Sequence, residues 1–384
     1  MCRVVSAFFL AVCLGCVEPY LPPSDISSLQ TLVVDGVVNT DGTASVRLSR
    51  SVSLAAKDYF PLERGATVTI ESSSGEKFHL SEGDSAVYAA SGLLTNLEDT
   101  YTLYIKTSKG DEYRSDEVKI LSAPPIDNLY FTLAYGGQAL EIRVDSRDPN
   151  SNATGFYQWD CVETYEYHAP VYAGFKLNNH QPVERRESEI LYKCWRDVIQ
   201  PSVIASTNSL SDPVISHQVV AVVPKGSEKL SVRYSILVKQ RAISREEFSF
   251  RTQLRNTTEQ TGSIFSVIPG SVVSNVHTIG GKEQYILGYF HGANISQRRL
   301  FIELSDLPPG FYTPPGDQDC EVYSTCPLGQ QLFGCVMLED LNDDTLITSA
   351  NTDRAGEIVG YNYVVHACGD CTYKGGITKK PSFW

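Results

Sequence analysis

A chain of 384 residues that is 42% hydrophobic and 20% charged has material for two or three cored domains and is too apolar to be disordered. Its 45 acidic against 32 basic side chains leave a formal charge of −13, which argues against nucleic acid, whose phosphates demand Lys/Arg patches. Tyrosine is abundant at 21 and methionine scarce at 2, and with many Val, Ile and Thr residues this favours sheet over helix.

The chain opens with Arg3, an apolar run from Val4 to Leu14, and then Gly15-Cys16. That run is too short to span a bilayer as a helix. A small residue before a cysteine at its end resembles the site cut by the lipoprotein signal peptidase, with Cys13 where Leu is usual. The expectation is a signal peptide over residues 1–15, an acylated Cys16 as membrane anchor, and a proline-bearing tether over 16–28. No later stretch is apolar enough for a transmembrane helix, so the membrane contact is expected through the lipid alone.

Residues 29–122 read as one small β-sandwich, Ig-like or transthyretin-like. Ser45-Val46-Arg47-Leu48-Ser49 alternates with period two, and Thr67 to Ile70 with Lys77 to Leu80 flank the turn Ser72-Ser73-Ser74-Gly75. Turn signals recur about every ten residues, the spacing of a sandwich. Leu94 and Leu97 followed by Tyr101 resemble a tyrosine corner. Ala123-Pro124-Pro125 marks a boundary, and a second β-rich sandwich is predicted over 123–307. It holds strands at 140–144, 157–161, 218–223, 230–240, 285–290 and 300–304. One helix is predicted there from Ser244-Arg245-Glu246-Glu247, where a hydroxyl can cap and acids favour the N-terminal dipole, to about Gln260. Residues 308–384 show little periodicity and read as an irregular, disulfide-stapled cap on the second sandwich. The fold class is mainly β, as tandem sandwiches.

Past the signal and Cys16 there are seven cysteines: Cys161, Cys194, Cys320, Cys326, Cys335, Cys368 and Cys371. An exported chain pairs its cysteines, and an odd number leaves one over. The preferred pairing is Cys161 with Cys194, plus two bridges among the five C-terminal cysteines.

Catalytic signatures are lacking: there is no Gly-x-Ser-x-Gly elbow, no His-Glu-x-x-His and no phosphate-cradling glycine loop. Cys368-Gly369-Asp370-Cys371 has the spacing of redox and zinc sites, but structural disulfides are the favoured reading. Asp340, Asn342 and Asp344 have the oxygen spacing that opens a calcium loop. An EF-hand would want Gly at Thr345 and Glu at Asn351, so a solvated acidic turn is favoured over a metal site. The aromatic stretch Tyr157, Trp159, Tyr165, Tyr167, Tyr172 and Phe175, with Trp195 further on, reads mainly as core. Tyr165, Tyr167, Tyr172 and Trp195 are nonetheless the candidates for contact with a glycan, peptide or protein partner, because Glu163 and Glu166 lie beside them. No cofactor is implied.

Several motifs together resemble a known family: Leu32-Val33-Val34-Asp35-Gly36, Gly65-Ala66-Thr67-Val68, Pro124-Pro125-Ile126-Asp127, Cys194-Trp195, Leu287-Gly288-Tyr289-Phe290, and Cys368-Gly369-Asp370-Cys371 with Lys380-Pro381-Ser382-Phe383-Trp384. In that order they are similar to the Bacteroidota lipoproteins grouped as domain of unknown function 4249, over essentially the whole mature chain. The resemblance implies an outer-membrane lipoprotein, on the periplasmic or cell-surface face, encoded beside TonB-dependent transporters. It implies no established activity. The expected function is a non-catalytic binding or accessory component working with such a transporter in nutrient uptake. The alternatives are an adhesion or glycan-binding module acting alone, and an extracytoplasmic hydrolase.

Overall fold

The computed structural model describes residues 31–51, 61–147, 155–207, 214–260, 274–280, 285–313, 320–342 and 345–384. Cys16, the signal segment and the tether lie outside the described residues. The fold is mainly β, and no described helix is long and apolar enough to cross a membrane.

The first eight strands are β1 (Leu32–Asn39), β2 (Ala44–Arg50), β3 (Thr67–Ser72), β4 (Lys77–Glu82), β5 (Val87–Ala90), β6 (Thr100–Lys106), β7 (Glu112–Ser115) and β8 (Val118–Leu121). Strands β1, β2, β3 and β7 alternate buried with more exposed positions, as in the B-i-B-e pattern of β1 and β2, so each presents one apolar face. The next nine are β9 (Ile126–Ala134), β10 (Ala139–Arg147), β11 (Phe156–His168), β12 (Phe175–Asn178), β13 (Gln181–Glu184), β14 (Lys193–Ile199), β15 (Val203–Ser206), β16 (Val214–Pro224) and β17 (Arg233–Ile243). Helix α1 (Arg245–Gln260) follows, where the sequence places it, and then β18 (Val276–Thr278), β19 (Ile286–Ala293), β20 (Ile295–Glu303), β21 (Tyr323–Ser324), β22 (Leu346–Thr352), β23 (Ile358–Val364) and the single turn α2 (His366–Gly369).

The N-terminal strands close into an eight-stranded barrel, in the order β1-β2-β5-β4-β3-β6-β8-β19, where an Ig-like sandwich is expected. The closing strand comes from far down the chain. Strand β19 runs parallel to β1 from Leu32↔Ile286 to Asn39↔Ala293, and parallel to β8 at Gly292↔Ile120. Strand β8 pairs back to β6 at Tyr101↔Val118, which completes the ring and leaves no edge within it. The β19 slot is narrow: Gly288 has φ +139°, and a Cβ there would lie 1.8 Å from the Val34 carbonyl oxygen. Residues 276–278 and 286–293, expected in the second unit, are thus hydrogen-bonded into the first, on β7 and in the ring. The tyrosine corner is present within this barrel. Tyr101 is buried, and its hydroxyl donates to Asn96 O at 3.0 Å and accepts from Asn96 N–H at 2.6 Å.

The central region holds two sheets, β16-β10-β9 and β14-β11-β17-β20 with β15 also on β11. They share one core, in which Leu140, Ile142 and Val144 of the first meet Trp159, Cys161, Ile236 and Val238 of the second. Pro124 and Pro125 are pinned to it: the Gln240 amide donates to Pro124 O at 2.9 Å and the Ser146 hydroxyl to Pro125 O at 2.7 Å. Trp159 Nε1 in turn donates to Gln240 Oε1 at 2.8 Å.

The C-terminal region is more regular than the predicted cap. It forms a sheet in the order β13-β12-β22-β23-β21 over a small core of Ala173, Leu346, Val364 and Cys368. Two of its bridges, Cys320–Cys368 and Cys326–Cys335, lie among the C-terminal cysteines as expected, and Cys194–Cys371 joins β14 to this end of the chain. The expected Cys161–Cys194 bridge does not form, and register explains it. Cys194 lies opposite Tyr167, six positions along β11 from Cys161. At about 3.3 Å per residue that is roughly 20 Å, far beyond the reach of a disulfide. Cys161 is the unpaired cysteine, buried, with its thiol pushed up to about 12 by burial, so it is inert.

Candidate functional site

Among the described residues, a cavity of about 360 Å³ opens at the seam between the barrel and α1. Its wall includes Asp116, Lys119, Ser244, Glu246, Tyr289 and His291. Local chemistry builds it. Strand β17 ends at Ile243, and the Ser244 hydroxyl accepts from the Glu247 N–H at 3.0 Å while Ser244 O accepts from Phe248 N–H at 2.9 Å. This N-cap starts α1 and points Glu247 inward in its first turn, where the helix dipole favours an acid. Strand β19 delivers Tyr289 and His291 from the barrel side, two residues apart and so on one face.

Glu247 is the hub. Its Oε1 accepts from Arg251 Nε at 2.7 Å and from Arg241 Nη1 at 3.1 Å, and Arg241 Nη2 donates to Gln158 Oε1 at 2.7 Å. Glu247 and Arg241 are 2% and 5% exposed, so both charges are buried and neither is left unpaired. Burial works to raise the Glu247 pKa, but the neighbouring His291, Arg241 and Arg251 outweigh it and hold the carboxyl at about 2. His291 is pushed well below its ordinary value by burial and by the two guanidiniums, so its ring is neutral at pH 7. The arginines therefore carry the charge that keeps Glu247 ionised there. His291 Nδ1 stands 3.7 Å from Glu247 Oε1, too far for a hydrogen bond, and finds no hydrogen-bond partner among the described residues.

The aromatic candidates fall elsewhere. Tyr165 and Tyr167 are 4% and 1% exposed and belong to the central core, and the Tyr167 hydroxyl donates to Cys371 O at 2.7 Å. Trp195 is also buried, its N–H and carbonyl bridged to Ile377. Only Tyr172 of the four is exposed. The open face expected from Glu163 and Glu166 is absent because Tyr165 and Tyr167 pack in the central core, in one cluster with Leu230, Phe311 and Cys371. Glu163 is itself buried, accepting from Lys229 Nζ, Gln200 Nε2 and the Tyr234 hydroxyl.

Cys368 and Cys371 are bonded to different partners, Cys320 and Cys194, so the Cys-x-x-Cys spacing is structural. Of the calcium-like triplet, Asp344 lies outside the described residues. Asp340 sits in a short 3-10 turn, and Asn342 Oδ1 accepts from the Thr345 hydroxyl at 2.8 Å. Among the described residues no group of three or more His, Cys, Asp or Glu side chains is placed to hold a metal ion.

The site residues missed in the sequence are Arg241, Tyr289 and His291. Only Ser244 and Glu247 carried a local signal, the helix start. The others come from strands whose partners are distant in the chain.

No curated protein matches the chain. The resemblance in sequence runs through the Cys368–Trp384 ending, whereas the matched family span ends inside β20 and leaves residues 300–384 beyond it. That span, residues 17–299, contains the whole barrel and the seam cavity, and it places the chain in the family described as Domain of unknown function (DUF4249).

Proposed function

We propose that the chain is a lipid-anchored, non-catalytic binding protein of the bacterial outer membrane, an accessory to a TonB-dependent transporter, with the seam cavity as its ligand site. The observation that carries this reading is the locked charge state of the cavity floor. Glu247 stays ionised down to about 2 and His291 is pushed far below neutrality. The Ser244 hydroxyl is committed to capping α1. A general acid or base works best with a pKa near the operating pH, and none of these groups has one. Such a floor suits recognition by shape and hydrogen bonding.

The rim tells against an anionic ligand, because Asp116, Glu117 and Glu246 face it against the single Lys119. Tethering at Cys16 supplies the location, and the two central sheets, read as a β-sandwich, supply a stiff mount. The rival reading, a glycan-binding surface acting alone, is weakened by the burial of Tyr165, Tyr167 and Trp195.

The test is affinity isolation of the tagged full-length lipoprotein from gently solubilised membranes, with mass spectrometry of what accompanies it. A stoichiometric transporter is expected. A solitary lipoprotein, under conditions that preserve other membrane complexes, would overturn the accessory role and return weight to direct surface binding.

A further inference from the structure

From Val322 to Leu338 the chain carries no charged residue, although it is flanked by Glu321 and Glu339 in a protein with 77 charged side chains, 45 acidic and 32 basic. Within this stretch the Cys326–Cys335 bridge closes a loop of Pro327 to Gly334. The tip of this loop does not fold back on the protein. Phe333 is 110% exposed, with Leu332 at 53% and Leu328 at 45%. Gly329 (φ +73°) and Gly334 (φ +92°) take left-handed turns on either side of the tip, a backbone that other residues adopt only with strain.

The base is held firmly. Cys326 N–H donates to Val336 O at 2.9 Å, Leu328 N–H to Val359 O at 2.8 Å, and Thr325 N–H to Tyr361 O at 2.8 Å. A disulfide and a backbone ladder thus hold apolar side chains out in water, at a cost the fold does not recover from its own packing.

We propose that this loop is a membrane finger, inserting Leu332 and Phe333 into the interfacial layer of a lipid bilayer. The shape favours lipid over a protein partner. A stable protein interface needs about 800 Å² per side with a complementary surface, and a convex tip of three large side chains falls well short of that. A bilayer takes such a tip without preformed complementarity. The missing charges fit the same occupant, since each charge would have to be dragged toward hydrocarbon. The acidic flanks Glu321, Glu339 and Asp340 predict a preference for zwitterionic over anionic lipid. The reading above supplies only the location of the bilayer. The thirteen residues expected as tether, 16–28, span at most about 45 Å when extended, enough for the folded part to lie against the surface that holds its anchor.

The contact is tested without the anchor. The chain from Val17 contains every described residue but no acylated cysteine, and it is mixed with phosphatidylcholine vesicles and floated on a density gradient. Co-flotation is expected, falling about tenfold or more for Leu332→Ser with Phe333→Ser, and weaker with phosphatidylglycerol added. Phe333→Trp should gain blue-shifted emission that brominated lipid quenches. A chain that stays at the bottom, or a double serine variant that floats as well as its parent, would overturn the finger. Neither result touches the transporter reading, which rests on the anchored protein. Near-ultraviolet circular dichroism of each variant confirms that the fold is kept.

Discussion

The barrel and the C-terminal region solve the same problem, holding a sheet together, by opposite means. The barrel, with β7 and β18 paired beside it, contains no described cysteine and buries nineteen apolar residues in one core, among them Val46, Leu48, Tyr88, Tyr101, Leu103 and Phe290. Hydrogen bonding runs round its ring without an edge. The C-terminal sheet buries four, Ala173, Leu346, Val364 and Cys368, and three disulfides involve this end of the chain. A core that small does not offset the entropy of ordering its strands, so covalent links that restrict the unfolded chain take over. Closure is the barrel's cross-link.

That contrast is broken most severely at Gly288. A side chain there would collide with the Val34 backbone, and no flexible group can move aside. Gly288→Val should expel β19, open the barrel and cost more than about 4 kcal/mol, the range reserved for backbone conflicts and broken cores. Limited proteolysis should then cut within residues 32–121, while the three disulfides remain intact by mass spectrometry. A variant with native protease resistance would mean that the barrel does not depend on its distant strand.

Glu247→Gln comes next, because it leaves Arg241 buried with its main counter-charge gone. The loss should be about 3–5 kcal/mol at pH 7, read as a lower urea midpoint. The pH dependence has a definite sign. A carboxyl held at about 2 when folded, against about 4.3 unfolded, stabilises fully above the unfolded value and loses this as pH falls through about 2. His291 acts earlier and in the same direction. Its folded pKa is depressed, so unfolding takes up a proton below about pH 6.5 and the native state weakens from there downward. The variant should lose the steep limb below pH 4.5 and keep the shallower one above it.

Cys194→Ser with Cys371→Ser sharpens the comparison from the other side. Removing a bridge that spans 177 residues should cost about 2–5 kcal/mol. The loss should be local: amide exchange should accelerate in β22, β23 and the stretch after α2, with the barrel strands unchanged.

What could be read from sequence follows the same division between local and distant causes. The start of α1 was legible because Ser244 and its acidic first turn act within four residues, and the Ser244 cap forms as expected. Residues 285–290 were legible as a strand, but not its destination, because parallel pairing with Leu32 to Asn39 leaves no local mark on either segment. Glu163 and Glu166 look like the wet side of a strand. Glu163 is instead a buried carboxylate satisfied by Lys229, Gln200 and Tyr234, residues 37 to 71 positions away. The Cys161–Cys194 expectation placed both cysteines in one predicted domain, and strand register within that domain decides against the pair. The seam cavity was illegible for a related reason: β19 and α1 meet there only once the barrel has closed.

The smallest effect expected is also the one most legible beforehand. Tyr101→Phe keeps the ring among Leu103, Ile105 and the other barrel side chains and removes only the hydroxyl. That hydroxyl ties Asn96 N–H and Asn96 O to the start of β6. Asn96 lies in a partly exposed loop, so water can satisfy its backbone once the hydroxyl is gone. The cost should therefore be near the net worth of one hydrogen bond, about 1 kcal/mol, and not the larger penalty of stranded buried groups. The urea midpoint should fall with an unchanged slope. Carrying this substitution into the Cys194→Ser, Cys371→Ser chain should give additive losses, because the corner and the bridge share no partners. Strong coupling between them would mean that barrel and C-terminal region unfold as one unit, and that the two means of holding a sheet are not independent.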